Sequence, residues 1–476
     1  MSYTHEGAIQ KEHTQNHAIE FFSKAGSLMR GRNSFYEDES SALDLFKQVW
    51  YVGDYKLAMK LLFWVRDIRG GAGNRSGFEE IVNWLASQDY ASKWVKSNLH
   101  LIPTYGRYKD LKSLFNTSLE TYASDFWSDK ILEGDGLAAK WAKRTDKPLL
   151  KSLRKKKAVK DISEFRKLLT KNRTNIVENK MCKNEWKEID FSKVPSVALS
   201  RYTRTFNIHT PETFQAFKEK VESGEVKINT GALFPHDCVR TVMNGDKDIA
   251  NSQFDNLPNF LNTDQRILSV VDTSGSMGVS VSGSIKAWHV STALGLYCSD
   301  RLGKDNPFYR KFLQFCDEGK LTDWNDHKFS DCYENLYGWG YENRIFNGAV
   351  GTTRIDVALN TILEYGKFLN ATKEQMPNVL LIISDMQFTW GMETLNTPVE
   401  TIMEKWEQLG YDRPKIVYWN TAGYAGSPDE AFNNNVGLVS GFSPSILKAI
   451  FEGEDFSPIA IMHRTLEKYE ITEPKE

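Results

Sequence analysis

The chain has no apolar run of membrane-spanning length. The longest, just before Asp385, is about six or seven residues where about 20 are needed, so a transmembrane helix is excluded. Cysteine is scarce: Cys182, Cys238, Cys298, Cys316 and Cys332 are odd in number and never in C-x-x-C spacing. That argues against a disulfide framework and against a zinc site, and fits a reducing cytosol. The Asn-x-Ser/Thr sequons, such as Asn370-Ala-Thr372, are then chance matches. The nine histidines form no H-x-x-x-H or H-E-x-x-H pattern, so His236 and His289 are expected to be structural. No charge sign dominates either. Lys+Arg 60 against Asp+Glu 62 leaves a net charge of −2, so a polyanionic partner must be met by a local patch. The first residues lack the basic-then-apolar layout of a secretory signal. The expectation is a cytoplasmic protein with no membrane partner.

What is present falls into two halves with different periods. From about 13 to 260 the chain reads as an all-α module. Leu43 to Trp50 and Leu57 to Val65 carry apolar residues at helical spacing, broken at Gly53-Asp54, and Arg69-Gly-Gly-Ala-Gly73 ends the second run. Helix, short Gly- or Pro-marked turn, helix is the rhythm of HEAT-like repeats, although no strict period holds. The Gly-rich stretch at 69–76 lacks G-x-x-x-x-G-K-[ST] spacing and follows a helix, so it reads as an interhelical turn and not a phosphate loop. From 262 to 455 short β-rich runs (266–271, 308–315, 378–384, 415–419) alternate with helical patterns (285–301, 354–368, 398–409, 444–451). This alternation predicts a doubly wound parallel sheet with helices on both faces. Residues 456–476 read as a C-terminal tail, frayed after Glu467.

Sheets of that kind place ligand sites at the carboxyl ends of their strands. Asp272-Thr-Ser274-Gly-Ser276 follows the strand-like run Arg266 to Val271, and Asp385 follows Asn378 to Ser384. Gly351-Thr-Thr353 precedes a helical pattern of Ile355, Leu359, Ile362 and Leu363 and adds a hydroxyl. Two carboxylates and three hydroxyls are hard oxygen donors suited to Mg²⁺ or another divalent cation. The bland alternative is that Asp272 and Ser276 cap the following turn. Together the pieces resemble the metal-ion-dependent adhesion site of von Willebrand A domains, with Asp272, Ser274, Ser276, Thr353 and Asp385 as metal ligands. No general base, nucleophile or second metal cluster accompanies them, so a docking point is expected and not an enzyme. The Tyr- and Gly-rich stretch 331–347 reads as a loop covering that edge.

The helical half adds Ala58 to Arg75, Leu101 to Leu111, Leu137 to Lys143, Phe165 to Leu169, Trp186 to Ser196 and Lys227 to Pro235. In this order the chain, from about 15 to 455, resembles the TROVE family of Ro-like proteins. It is nearest the bacterial, phage and plant branch described as domains of unknown function. The resemblance implies a HEAT-repeat ring closed by the A domain, binding small structured RNA outside and single-stranded RNA ends within. A local feature of the residues agrees: between Lys140 and Arg173 fourteen cations stand against Asp146, Asp161 and Glu164. Candidate RNA contacts, chosen by charge and turn position, are Arg66, Arg69, Arg107, Lys140, Lys143 and Arg144. Trp64, Tyr108 and Trp141 lie among the cations where bases could stack, although helical spacing suits Trp64 and Trp141 equally to a core. On charge alone the run is equally a solvated face, with Arg66 paired to Asp54 or Asp67 and Arg107 to Asp110. Two functions compete: a non-enzymatic RNA-binding protein that scaffolds or sorts small or misfolded RNA, and a module capturing an acidic partner residue through the metal.

Overall fold

A computed structural model describes residues 2–3, 9–10, 14–28, 41–173, 176–228, 230–282, 284–336, 353–389, 398–422, 428, 434–453 and 455–475. The first part is helical: α1 (His17–Lys24), α2 (Ala42–Val52), α3 (Tyr55–Arg66), α4 (Arg75–Ala86), α5 (Asp89–Ser97), α6 (Leu101–Tyr105), a 3-10 segment Tyr108–Leu114, α7 (Glu120–Leu132), α8 (Gly136–Trp141), α9 (Lys147–Lys155), α10 (Ile162–Asn172), α11 (Val177–Cys182), α12 (Ser196–His209), α13 (Pro211–Glu222), α14 (Pro235–Met243) and α15 (Lys247–Asp255). Local chemistry sets the boundaries. Ser41 and Asp44 form a reciprocal capping box on α2, Gly53 ends it at φ +97°, and Asp54 at once caps α3. Asn74 closes the Gly-rich turn by capping α4 through Gly77 N–H, so that stretch is the interhelical turn read from sequence.

The second part carries one six-stranded sheet: β1 (Ile267–Asp272), β2 (Lys311–Phe315), β3 (Gly319–Asp323), β4 (Val379–Ser384), β5 (Lys415–Asn420) and β6 (Val436–Ser440). Their order is β6-β5-β4-β1-β2-β3, parallel throughout except β3, which runs antiparallel on the edge. The helices are α16 (Ala287–Asp300), α17 (Phe329–Leu336), α18 (Ile355–Phe368), α19 (Pro398–Gln408), α20 (Ile446–Phe451) and α21 (Pro458–Leu466). The chain leaves β1 in one direction for β2 and later moves from β4 to β5 in the other. Right-handed crossovers therefore put α16 and α19 on opposite faces, and the order reverses at β1. The sequence reading missed two strands of this sheet. β3 is half-exposed along its length and shows no apolar run, and Gly437 interrupts the short run of β6.

The two halves do not bury separate cores. One hydrophobic core runs from α1 to α10 through α14 and α15 into the sheet. A smaller core of Phe191, Leu199, Phe206, Phe214 and Phe217 serves α11 to α13. The helical segment touches the sheet domain at both of its ends. α1 lies on β6, where Ser440 Oγ donates to Phe22 O at 2.6 Å. α14 and α15 pack on α16 and α17, where Tyr297 O–H donates to Pro258 O at 2.5 Å. The expectation of a frayed tail is corrected. Tyr469 is fully buried and donates to Asp67 Oδ2 at 2.9 Å, and Thr472 and Asn98 exchange two hydrogen bonds of 2.8 Å. Residues the tail was expected to leave in solvent instead strap α21 to α3 and α5.

Candidate functional site

β1 is buried along its whole length between β2 and β4, so Asp272 arrives at the carboxyl edge at the point where strand order reverses. Its Oδ1 accepts Ser274 N–H at 2.9 Å and its Oδ2 accepts Ser384 O–H at 2.5 Å. Ser274 and Ser276 hydroxyls lie 3.1 Å apart. Asp385, next after β4, has Oδ1 accepting Gln387 N–H at 3.1 Å, and the chain turns there through Met386 at φ +66°. Thr353 is pinned from both sides. Its N–H donates to Thr389 Oγ1 at 2.8 Å and its carbonyl accepts Thr389 N–H at 2.9 Å, which ties it to the loop after β4. Arg354 N–H donates to Cys316 O at 3.1 Å, which ties it to the end of β2. Thr353 thus straddles the end of β1, and all five candidate ligands gather at one edge. Ser384 was not singled out from the sequence, although it is the last residue of the strand run that delivers Asp385.

The electrostatics of this edge are one-sided. Asp272, Thr353 and Asp385 are fully buried. Burial first, and then the neighbouring Asp385 carboxylate, push the Asp272 carboxyl up to about 7 against the opposing hydrogen bonds from Ser274 and Ser384. Among the described residues no cation pairs with Asp272, and the Thr353 hydroxyl is buried without a hydrogen-bond partner. Also among them, no group of three or more His, Cys, Asp or Glu converges on a common point. The donor set is therefore two carboxylates plus hydroxyls, which fits a hard divalent cation and not zinc. Tyr337, Trp339 and Tyr341 of the expected covering loop, with Gly351 and Thr352, lie outside the described residues; Tyr333 is buried and stacks on Trp288 at 6.2 Å.

The cationic candidates separate clearly. Arg66 is corrected: it is 3% exposed, and its Nε and Nη2 donate to Asp110 Oδ2 at 2.7 and 2.6 Å. It locks α3 to the 3-10 segment and has no free donor face for RNA; its partner is neither Asp54 nor Asp67. Arg107 pairs with Asp110 at 3.1 Å as read, while its guanidinium lies 4.7 Å from the Trp141 ring centre. Arg69 is exposed and donates to Thr104 O at 3.3 Å. Lys140 pairs with Glu178 at 3.1 Å. Lys143 and Arg144 are exposed with no ion pair among the described residues. Trp64 is core, at 1% exposed, which removes it as a stacking platform.

The acids of the 140–173 segment are committed elsewhere. Asp146 takes Lys112 at 2.8 Å, Asp161 caps α10 through Ser163 and Glu164 N–H at 2.7 and 2.9 Å, and Glu164 accepts Lys160 N–H at 2.7 Å. Lys147 and Lys151 on α9, with Lys167 and Lys171 on α10, are exposed and make no ion pair among the described residues.

Residues 266–475 match the model of a "Domain of unknown function (DUF7788)", and residues 140–273 match that of a "Domain of unknown function (DUF2828)". The two overlap on β1 and its terminal Asp272. "Uncharacterized protein L728" of Acanthamoeba polyphaga mimivirus is 25% identical, over 98% of this chain and 88% of its own length. A crystal structure of the Deinococcus radiodurans Ro (RSR) protein aligns over 95% of this chain and all of its own, with a TM-score of 0.47 and 12% identity. Among the described residues no helix is long and apolar enough to cross a membrane.

Proposed function

We propose that this chain is a non-enzymatic, Ro-like RNA-binding protein of the cytoplasm that scaffolds or sorts small or misfolded RNA. The observation that carries this reading is the α9–α10 surface. In a chain of net charge −2, Lys147, Lys151, Lys167 and Lys171 stand in solvent while the local acids are spent on helix caps and on Lys112. The TROVE-like motifs of the sequence support the same class of partner. The test is RNA affinity of protein stripped of nucleic acid, across a salt series, for a structured hairpin and a single strand. A steep loss of affinity with salt is expected, and absence of any salt-dependent affinity would remove the reading.

The sheet edge supports a second role in the same molecule. Asp272, Ser274, Ser276, Thr353 and Asp385 would hold Mg²⁺ or another divalent cation, and a cation so held supplies an open position for a carboxylate of a protein partner. The Thr353 hydroxyl, buried without a hydrogen-bond partner among the described residues, and the two buried carboxylates favour this reading. Its test is a pull-down with and without chelator, in wild type and Asp272→Ala. A partner retained equally in all four conditions would contradict it.

A further inference from the structure

Asp110 is fully buried, yet three guanidiniums converge on it. Arg66 reaches it from α3 at 2.6 Å, Arg107 from the preceding turn at 3.1 Å, and Arg75 from the start of α4 at 3.8 Å. Arg107 N–H also donates to it at 3.1 Å. Gly106 permits this crowding: a Cβ there would stand 2.4 Å from Asp110 Oδ2 and 2.9 Å from Ile102 O. Lys109 is half-buried beside the hub and has no ion pair among the described residues. Burial first, and then the cations Arg75, Arg107 and Lys143, hold its ammonium below the ordinary lysine value, against Glu79. Glu79 is itself held by Arg75 at 2.7 Å, and the next carboxylate, Asp146, by Lys112. Among the described residues Asp110 and Glu79 are the carboxylates paired with Arg66, Arg75 and Arg107, Asp146 accepts the Lys143 backbone N–H at 2.6 Å, and the Lys109 and Lys143 ammonium groups make no ion pair. Cations held together against their own repulsion, oriented by a buried carboxylate, form a site made ready for an anion. Arg107 is fixed further by the Trp141 ring beneath it.

The geometry points to a phosphate-binding site on the open side of this hub, in which Arg75, Arg107, Lys109 and Lys143 hold one phosphate group. It rests on the RNA reading for its source, an RNA backbone phosphate. A free phosphate or a nucleoside monophosphate offers the same chemistry, and the experiment separates them. Full-length protein stripped of nucleic acid is treated with an amine-acylating reagent at matched ionic strength, and modification of Lys109 is read by mass spectrometry. Inorganic phosphate, a nucleoside 5′-monophosphate and an RNA hairpin serve as the three protecting probes. Hairpin affinity is measured in parallel for Lys109→Gln/Lys143→Gln, residues with no ion pair to lose, and for the charge reversal of Lys147, Lys151, Lys167 and Lys171. Protection of Lys109 by the hairpin is expected. So are an affinity about tenfold lower in the double variant and a salt slope smaller by about one. Protection by phosphate or monophosphate with unchanged hairpin affinity supports the site and assigns it a free phosphate. No protection by any probe, while the α9–α10 reversal still abolishes hairpin binding, overturns the site and leaves the RNA reading standing. No protection and no RNA binding by wild type overturns both.

Discussion

Asp272 and Asp110 are the same side chain at the same depth, both fully buried, in opposite electrostatic surroundings. Around Asp272 the near charge is another carboxylate, Asp385, and its partners are hydroxyls and N–H groups. Around Asp110 stand three guanidiniums, of which Arg66 is pulled below its ordinary value by burial while Asp110 pushes it up. Buried charge is tolerated only when balanced, so each imbalance names the sign of the ligand that completes it. On the proposals above, the sheet edge takes a cation and the helical hub an anion.

The contrast is broken most severely at the hub. Asp110→Ala leaves Arg66 buried and unpaired, and the expected loss is about 3–5 kcal/mol of folding stability, measured by urea unfolding. A loss under about 1 kcal/mol would mean that the hub does not organise the surrounding helices. Next in size is the reversal of Lys147, Lys151, Lys167 and Lys171 to Glu. RNA affinity is expected to fall by about two orders of magnitude at 0.1 M salt with the fold intact by circular dichroism. Third, Mg²⁺ at about a hundred times its Kd is expected to add about 2.7 kcal/mol of stability to wild type, read as a rise in Tm. Asp272→Asn is expected to lose that response and, without metal, to be more stable than wild type, because it removes a buried charge and, with it, the repulsion from Asp385. A metal-free Asn variant less stable than wild type would show that Asp272 is an ordinary turn cap.

The smallest effect separates these sites from plain burial. His236 and His289 are 5% and 2% exposed at the seam between α14 and α16, and burial holds both below the ordinary histidine value, His289 at about 4. A histidine depressed in the folded state contributes stability that is complete above about pH 6.5 and drains away as pH falls toward its folded value. The unfolding free energy from urea titration is therefore expected to fall by about 1 kcal/mol between about pH 6.5 and about pH 5.5 for His289. The decline should vanish in His289→Phe if that ring alone is responsible.

The sequence announced some of this more clearly than the rest. Asp272, Ser274 and Ser276 were legible because a buried parallel strand must end at the carboxyl edge, and the polar cluster follows it directly. Thr353 was legible only as a hydroxyl before a helix; its place depends on Thr389 and Cys316, far along the chain. Ser384 escaped because it reads as part of its strand. Arg66 misled because an arginine at a helix end looks exposed, and its partner Asp110 lies 44 positions away. Arg75 and Lys109 were invisible as members of a cluster for the same reason: packing of three separate segments brings them together. The tail beyond Glu467 misled through its charge, since Tyr469 and Ile471 are the large apolar residues among its described positions, and both are buried.

The most direct test of the account is to crosslink RNA to the tagged protein in its native host, sequence it, and repeat with the Lys147, Lys151, Lys167 and Lys171 reversal. Discrete RNA species recovered with wild type and lost with the variant are the expected result. Wild type that recovers no RNA above background, or a variant with an unchanged RNA profile, would contradict the α9–α10 surface as the seat of function.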